Sequence, residues 1–561
     1  MAVADTSAAK DRWARLAIQK KIDYLDAIRR QVLAVAEPWV AAAVRAKGIR
    51  PGSPLAGEEW ISGPYPVLNW IVAVHQTLRA LAAGKDPLAG LPVRQRAGGQ
   101  TVVQVYPYDL KERLLLHGYT VEVWMQPGVT PTGLAATVGG FYRQPDPQGR
   151  VAVVLGAGNI ASIAPLDMLY KLYAEGEVAI VKMSPINDYL GPFFERAFGP
   201  LIDDGYVRFV YGGGDAGDYL CRHPGVDTVH ITGSDRTHDL IVYGAGAEGA
   251  ARKARDERLL DKPITSELGG VGPTIVVPGP WTEADLDYQA EHLVTQKLHN
   301  SGHNCVASQL LVLPAAWDGS SMVLDAVRRQ LRTVEARPAY YSGTERRRQA
   351  VVEHYPNAED VGTGDASCLL VTGLDPTESG AYAFTEEFFA PVLAATSLPG
   401  GDAPQFLRHA VQFANETLHG TLGANILIHP RTAAELGAVL EEAVADLRYG
   451  TVAVNAWTGV AYLSARSTWG AFPGDTYADI QSGIGVVHNA LLFDRAQKAV
   501  VRAPFHPFPR SVANREFSLS PRPPWFVTNK TAAVTTRRLT QFAADGRLRH
   551  LPGIFASALR G

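Results

Sequence analysis

Residues 151–159 read Val-Ala-Val-Val-Leu-Gly-Ala-Gly-Asn, and this stretch decides the fold class. Its five apolar residues predict a buried strand, and the two glycines that follow predict a tight turn. A helix is expected next, because Pro165 lies near its start and Gly176 just past its end, the usual positions for these two residue types. The stretch therefore predicts a strand–turn–helix unit with the Asn159 amide at the carboxyl end of the strand.

Strand and helix patterns continue to alternate after this unit. Further strands are predicted at 178–181, 207–211 and 226–231, with helices between them. Such alternation is typical of a doubly wound parallel sheet. A second pattern of the same kind occupies about 265–470. We therefore expect an α/β protein with two doubly wound lobes.

The segments outside the two lobes have other patterns. Residues 8–50 and 65–84 are amphipathic and predict helices, whereas 101–107 and 119–126 alternate as strands do. Prolines crowd residues 504–524. They exclude regular helix or central strand there, and they predict an extended arm lying over a surface.

Composition limits the class of protein. The chain has 561 residues, 46% of them hydrophobic and 19% charged, with a formal net charge of −3. These values indicate a globular protein of two or three lobes and give no reason to expect a nucleic acid partner. Three cysteines at unrelated spacings predict neither a disulfide framework nor a structural zinc site, so we expect a reducing, cytoplasmic location. We expect no signal peptide and no membrane span, because the apolar runs are too short.

The most informative stretch for function is 297–308, Lys-Leu-His-Asn-Ser-Gly-His-Asn-Cys-Val-Ala-Ser. It places Cys305 on a glycine-containing loop behind a predicted helix at 283–299. A rigid loop suits a nucleophile, because small misplacements cost rate. A free cysteine is more often a small buried hydrophobe, and that is our interpretation of Cys221 in a helix and Cys368 in a strand.

Polar groups and glycines also follow the ends of the predicted strands. They are Asn159, Lys182, the run Gly212-Gly213-Gly214-Asp215-Ala216-Gly217, and Thr232-Gly233-Ser234. Ligands of parallel sheets bind at the carboxyl ends of strands, and free amides at a helix N-terminus suit a diphosphate. In Ser266-Glu267-Leu268-Gly269-Gly270, a carboxylate lies beside glycines that leave room for a substrate or cofactor. Taken singly, each motif is also typical of an ordinary turn.

The order of these motifs, with Glu386-Glu387-Phe388-Phe389-Ala390-Pro391-Val392 after them, resembles the aldehyde dehydrogenase superfamily over roughly 130–490. The resemblance implies that Cys305 is the nucleophile, with its oxyanion held by the Asn159 amide and the Cys305 backbone N–H. It implies that Glu267 activates water, and it requires no metal. The implied reaction is NAD(P)-dependent oxidation of an aldehyde to a carboxylic acid through a cysteine thiohemiacetal and thioester.

The resemblance also implies a dinucleotide site and a division into domains. The implied cofactor contacts are Lys182 and Glu387 at the ribose, Gly214, Gly233 and Ser234 along the phosphate-binding turns, and Phe389 beside the nicotinamide. NAD and NADP both stay open, because Pro185 stands where NAD-preferring members often carry a ribose-binding glutamate. The implied parts are the N-terminal helical part of the cofactor-binding domain (1–118), an oligomerisation hairpin (119–147), the Rossmann-like cofactor-binding domain (148–265), the catalytic domain (266–470), a return to the cofactor-binding domain (471–503) and a C-terminal arm (504–561).

Two other functions stay open. A CoA-acylating dehydrogenase or acyl-CoA reductase would use the same cysteine without a hydrolytic base, so the presence of Glu267 argues against it. A catalytically silent binding scaffold would have no reason to combine Asn159, Glu267 and Cys305.

We also expect a homodimer or homotetramer. The strands around 119–143 and the proline-rich tail have no obvious partner inside the two lobes. Exposed strand edges are usually covered, and members of the family commonly cover them by association.

Overall fold

The computed structural model describes residues 1–335, 337–362 and 367–561. The strands are β1 (Val93–Gln95), β2 (Thr101–Tyr106), β3 (Thr120–Met125), β4 (Val151–Leu155), β5 (Val178–Lys182), β6 (Val207–Val210), β7 (Thr228–Gly233), β8 (Ile264–Leu268), β9 (Gly272–Val276), β10 (Ser308–Pro314), β11 (Glu359–Val361), β12 (Cys368–Leu374), β13 (Val392–Leu398), β14 (Gly423–Leu427), β15 (Thr451–Val454), β16 (Thr468–Gly470), β17 (Gly483–Ile484), β18 (Val486–His488) and β19 (Ala496–Arg502).

The helices lie between and around these strands. They are α1 (Ala2–Ala14), α2 (Ile18–Ala46), α3 (Ala56–Ile61), α4 (Pro64–Ala82), α5 (Leu110–Leu115), α6 (Ile163–Tyr173), α7 (Gly191–Ala197), α8 (Gly199–Asp203), α9 (Gly214–Arg222), α10 (Asp235–Tyr243), α11 (Gly246–Ala254), α12 (Glu283–Leu298), α13 (Gly319–Leu331), α14 (Thr344–His354), α15 (Tyr382–Thr385), α16 (Ala403–Glu416), α17 (Pro430–Leu436), α18 (Ala438–Asp446), α19 (Gly459–Leu463), α20 (Arg510–Ala513), α21 (Ala532–Asp545) and α22 (Leu551–Ala558).

The first sheet has the strand order β17-β8-β7-β4-β5-β6. Strands β4 to β8 run parallel, and β17 adds an antiparallel edge. The chain proceeds from β4 outward in one direction and then returns to add β7 and β8 on the other side. Such a reversal of strand order leaves a crevice at the carboxyl ends, where ligands of this architecture bind.

The second sheet has the order β1-β2-β3-β19-β15-β14-β9-β10-β13-β12-β11. Its central strands, from β15 to β12, pair in parallel. Strands β9 and β14 are buried at every position, as expected of parallel strands covered by helices on both faces. The prediction of two α/β lobes is confirmed.

The expected hairpin within 119–147 is not formed. Strand β3 pairs with β2, which precedes it, and with β19 from near the end of the second lobe. After Met125 the backbone makes short 3₁₀ turns at Leu134–Thr137 and Gly140–Arg143. The physical reason is local, because Pro127 and Pro131 cannot donate to a sheet ladder and the glycines between weaken a strand.

Strand β19 is the partner of β3 within the same chain. It pairs in parallel with β15 while pairing antiparallel with β3, so β1–β3 extend the second sheet within one chain. The expectation that these strands lack a partner inside the lobes is therefore wrong.

The proline-rich tail packs on its own chain. Apart from the four-residue α20, residues 504–524 form neither helix nor strand, as predicted. The tail then follows α12, where the Phe526 ring stacks on His292 at 5.3 Å between centroids and Arg522 pairs with Glu291 at 2.7 Å. The arm is thus a cover for α12.

The start of the tail is held by buried ion pairs. His506 lies between Asp285 and Glu516, and Arg510 pairs with the same Asp285. Burial by itself lowers the pKa of His506, but the two carboxylates raise it to about 9. His429 completes a cluster whose polar atoms approach Asp285 and His506 within 4.8 Å. Opposite charges account for the pairing of Asp285 with His506, whereas burial lowers the pKa of His429.

Among the described residues, no helix combines the length and the apolar character that crossing a bilayer requires.

Candidate functional site

A strongly turned loop delivers Cys305. Helix α12 begins at a capping box between Thr282 and Asp285, and the chain then turns through left-handed backbone at Asn300, Ser301 and Gly302, with φ of 56°, 55° and 78°. A Cβ on Gly302 would lie 2.7 Å from the Ala390 carbonyl oxygen, so only glycine fits. The loop is thereby pressed against the segment that carries Phe389.

Exposure distinguishes Cys305 from the other cysteines. Cys221 and Cys368 are each 1% exposed, whereas Cys305 is half-buried and packs against an apolar cluster that includes Val306 and Trp457. All three thiols are free. The structure therefore leaves Cys305 accessible and the other two as small core residues, as the sequence predicts.

The thiol of Cys305 needs a base. Burial raises its pKa well above the ordinary value, and the carboxyls of Glu267 and Glu387 raise it further. The resting group is thus a thiol, and nucleophilic attack requires a neighbour that accepts its proton.

Glu267 is the neighbour suited to that task. It lies on β8, is 3% exposed, and its Oε1 has no hydrogen-bond partner among the described residues. Burial, with a contribution from Asp167, raises the pKa of Glu267 to about 8, and the neighbouring Cys305 thiol opposes the rise. A carboxyl with a pKa near neutrality can both accept and return a proton.

Asn159 contacts the nucleophile loop directly. Its Nδ2 donates to the His303 carbonyl at 3.0 Å, which occupies one of the two N–H groups of the amide. A Cβ on Gly158 would lie 2.6 Å from Ser184 Oγ, so the glycine lets the turn close. The structure thus brings Asn159 to the loop of Cys305, as the motif predicts.

Gly269 has a role that differs from the expected one. A Cβ at this position would lie 2.1 Å from Glu387 Oε1, so the glycine makes room for a carboxylate of the same chain and not for a ligand. Burial and the charge of Asp235 raise the pKa of Glu387 to about 8, against the opposing charge of Lys297. Glu387 Oε1 has no partner among the described residues.

Phe389 stands beside the same loop. Its backbone is left-handed, with φ of 41°, and its ring packs edge-on against His303 at 5.5 Å and Tyr341 at 5.0 Å between centroids. Arg347 Nε donates to the Phe389 carbonyl at 3.1 Å. These contacts fix the ring at the entrance to the loop.

The remaining predicted cofactor residues lie at the carboxyl edge of the first sheet. Lys182 ends β5 and Gly233 ends β7; burial lowers the pKa of Lys182. Gly214 is the first residue of α9, and Ser234 caps α10 by accepting from the Thr237 N–H at 3.3 Å. The prediction that these groups share one edge agrees with the sheet order.

This edge fits a dinucleotide. A Cβ on Gly213 or Gly214 would meet no atom within 4 Å, so the N-terminus of α9 is open to a phosphate. The unpartnered Oε1 of Glu387 is an acceptor that a ribose hydroxyl would satisfy. Lys182 supplies a cation at the adjacent strand end.

The charged side chains behind the Cys305 loop were not predicted from the sequence. Lys47, Glu58, Glu59 and Arg337 are all buried there, and Asn300, which the motif contains, is hydrogen-bonded to them. The signal was the pair Glu58-Glu59 inside an apolar stretch, since adjacent carboxylates in such a stretch need partners when buried.

Comparison with known proteins gives one consistent family. A family model described as the aldehyde dehydrogenase family matches residues 131–338. The chain is 27% identical over 319 residues to geranial dehydrogenase of Castellaniella defragrans, covering 52% of this chain and 59% of that protein. It is 27% identical over 274 residues to aminoacetaldehyde dehydrogenase of Pseudomonas aeruginosa, covering 45% and 49%. The chain thus spans about half the length of the curated relatives it matches.

Solved structures share the fold over most of the chain. An NAD-dependent aldehyde dehydrogenase from Sinorhizobium meliloti superposes with a TM-score of 0.58 at 18% identity, covering 91% of this chain and 87% of the other. Lactaldehyde dehydrogenase from Escherichia coli superposes with a TM-score of 0.58 at 16% identity, covering 89% and 90%.

Proposed function

We propose that this chain is a member of the aldehyde dehydrogenase superfamily, whose family model it matches over residues 131–338, and that it oxidises an aldehyde to a carboxylic acid with NAD or NADP as hydride acceptor. The observation that carries the proposal is a half-buried Cys305 beside a buried Glu267, which raises the pKa of its thiol and whose Oε1 lacks a partner among the described residues. Asn159, bonded to the carbonyl of His303 in the same loop, supports it.

The residues of this chain divide the chemistry between them. Cys305 Sγ attacks the aldehyde carbon, and its proton passes to the Glu267 carboxylate. The developing oxyanion receives the second N–H of Asn159 Nδ2 and the Cys305 backbone N–H. A nicotinamide held at the edge of the first sheet would supply the hydride acceptor, and loss of hydride from the carbon bound to Cys305 would leave a thioester. Glu267 releases the first proton to solvent and then accepts a proton from water as the water oxygen attacks the thioester carbon, and the Cys305 thiolate departs.

The cofactor is proposed to lie along the edge of the first sheet. Lys182 and Glu387 would bind its ribose groups, and Gly214, Gly233 and Ser234 would line the phosphates. Phe389 would bound the nicotinamide. The hydride acceptor would then lie near Cys305, whose thiol pKa the Glu387 carboxyl helps to raise.

The first test is turnover of aliphatic and aromatic aldehydes, with NAD and NADP in parallel and with or without CoA. We expect NADH or NADPH formation without CoA and release of the carboxylate. Product that forms only with CoA, as a thioester, would establish the acylating reaction instead. No reduced cofactor from any aldehyde in either condition would leave the scaffold interpretation.

We also propose a homodimer or homotetramer. This proposal rests on the family alone, because the strands that had suggested it pair within the chain. Light scattering at micromolar concentration should give two or four times the chain mass of 60.4 kDa, and a mass of one chain would contradict it. A cytoplasmic location likewise stays a prediction.

A further inference from the structure

Four charged side chains are buried behind the nucleophile loop, and we call them the buried charge cluster. Lys47, Glu58, Glu59 and Arg337 are 5%, 4%, 1% and 8% exposed. Burying a charge is costly even when it is paired, and an ion pair in the interior is weak evidence of a stabilising role. Three of the four precede residue 131, where the family match begins. The cluster therefore calls for an explanation specific to this chain.

Lys47 joins the two loops of the proposed site. Its Nζ pairs with Glu59 Oε1 at 2.8 Å and donates to the Asn159 carbonyl at 3.1 Å and to Asn300 Oδ1 at 2.9 Å. The three donors of one ammonium are thus used on one carboxylate and on the two loops. The Tyr340 hydroxyl donates to the same two oxygens, at 3.2 Å and 3.0 Å.

Asn300 connects Lys47 to Asn159 through hydrogen bonds. Because its Oδ1 accepts from Lys47, its Nδ2 faces the loop and donates to the Asn159 carbonyl at 3.1 Å and to the His303 carbonyl at 2.9 Å. The His303 carbonyl is the group that also accepts from Asn159 Nδ2. The direction of the Asn159 amide is therefore fixed by an acceptor that Asn300 holds in place.

Glu58 and Arg337 secure the turn itself. Glu58 Oε2 accepts from the backbone N–H of Asn300 at 2.9 Å, and Arg337 binds Glu58 and donates to the Leu298 carbonyl at 2.6 Å. Although burial alone raises it, Arg337 lowers the pKa of Glu58, so the carboxylate stays charged. The left-handed backbone conformation of Asn300 is unfavourable and persists only because the surrounding contacts hold it in place.

The C-terminal tail packs against α3, the helix that carries Glu58 and Glu59. Helix α21 packs on α3 so closely that a Cβ on Gly57 would lie 2.6 Å from the Ala532 carbonyl carbon. Gly57 directly precedes Glu58 and Glu59. The position of the two carboxylates thus depends on the packing of α21.

We propose that Lys47, backed by Glu59, is a positioning residue that aims the Asn159 amide at the oxyanion formed on a carbonyl attacked by Cys305. The inference rests on the proposed function, since it takes Cys305 as nucleophile and Asn159 as oxyanion donor. It goes beyond that function by assigning a role to the N-terminal helices. Lys47 acts through Asn300 and the His303 carbonyl and touches no reacting atom.

The test compares two reactions of Cys305 that need no cofactor. Acylation by p-nitrophenyl acetate passes through a tetrahedral oxyanion: the S–C bond forms, the C–O bond breaks and p-nitrophenolate leaves. Alkylation by iodoacetamide displaces iodide at a saturated carbon and forms no oxyanion. Lys47→Met should slow acylation by at least about tenfold, a part of what one oxyanion donor provides, and change alkylation by less than about twofold.

Lys498→Met is the matched control. Lys498 is 1% exposed and donates to the carbonyls of Val444 and Ala445, in the second lobe. It shares the burial and the backbone contacts of Lys47 without contacting either loop, so both rates should stay unchanged. Should Lys47→Met fail to fold because Glu59 is left unpaired, the double change Lys47→Met with Glu59→Gln removes both charges and carries the same expectation.

The outcomes separate this inference from the proposed function. Suppose that Asn159→Ala slows acylation. The positioning role of Lys47 is then wrong if Lys47→Met slows both reactions equally or slows neither. If Asn159→Ala leaves acylation unchanged, the oxyanion role falls, and the positioning role falls with it. Adding Lys47→Met to Asn159→Ala should cost little more, because residues that act as one unit are not additive.

Discussion

Cys305→Ala is expected to abolish oxidation of every aldehyde, by at least about 10⁴-fold in kcat, as removal of a covalent nucleophile does elsewhere. The reason is that no other thiol can substitute, since Cys221 and Cys368 are buried on a helix and a strand of their own. The measurement is NADH absorbance under saturating aldehyde. Cofactor affinity, followed by fluorescence titration, should stay within about threefold because Cys305 contributes no proposed phosphate or ribose contact.

Cys221→Ala is the control for this experiment. It removes a free thiol that is 1% exposed, so it should cost some stability and leave turnover intact. Residual oxidation by Cys305→Ala at a tenth of the original rate would contradict the assignment of the nucleophile.

Glu267→Gln is expected to slow the attack by Cys305 and to leave the thioester that does form largely unhydrolysed. An amide cannot accept a proton from water, and loss of a general base costs roughly 10² to 10⁴ in rate. Hydrolysis of the acyl group should slow by that factor, so intact-mass spectrometry should find the acyl adduct on the enzyme after one turnover. An adduct that disappears as fast as in the unchanged protein would assign the base elsewhere.

The pH dependence of acyl-enzyme hydrolysis gives a second test of Glu267 as the base. Burial raises the pKa of Glu267 to about 8, and only the deprotonated carboxylate accepts a proton. Hydrolysis of a pre-formed acyl-enzyme should therefore rise as the pH rises through about 8 and level off above it. Glu267→Gln should remove that rise. Measuring hydrolysis separately from acylation matters, because the raised pKa of the Cys305 thiol gives acylation a pH dependence of its own.

Much of the fold follows from periodicity in the sequence. The pattern at 283–299 predicts a helix that the structure places at Glu283–Leu298, and the strand predicted at 451–455 lies at Thr451–Val454. These elements are regular and locally determined. The pairing of β3 with β19 was not predictable, because the partner lies hundreds of residues away and depends on which sheet edge is left open by the rest of the fold.

The residues of the candidate site also differ in whether the sequence predicts them. Cys305, Glu267 and Asn159 stand in short motifs whose chemistry can be read from the sequence. Lys47 stands in no such motif, and the adjacent carboxylates Glu58 and Glu59 signal a need for partners without indicating which residues supply them. Only the tertiary packing shows that they are buried.

The packing of α21 on α3 has a consequence for biosynthesis. The loop that carries Cys305 leaves the ribosome long before α21 (Ala532–Asp545), yet the helix that holds the carboxylates behind this loop packs against α21. A nascent chain can build both sheets in the order of synthesis, since domains generally form as units from the N-terminus. The groups proposed to bind the oxyanion, however, acquire this support only after α21 has been made, so a chain truncated before Ala532 should form both lobes with a misaligned Asn159.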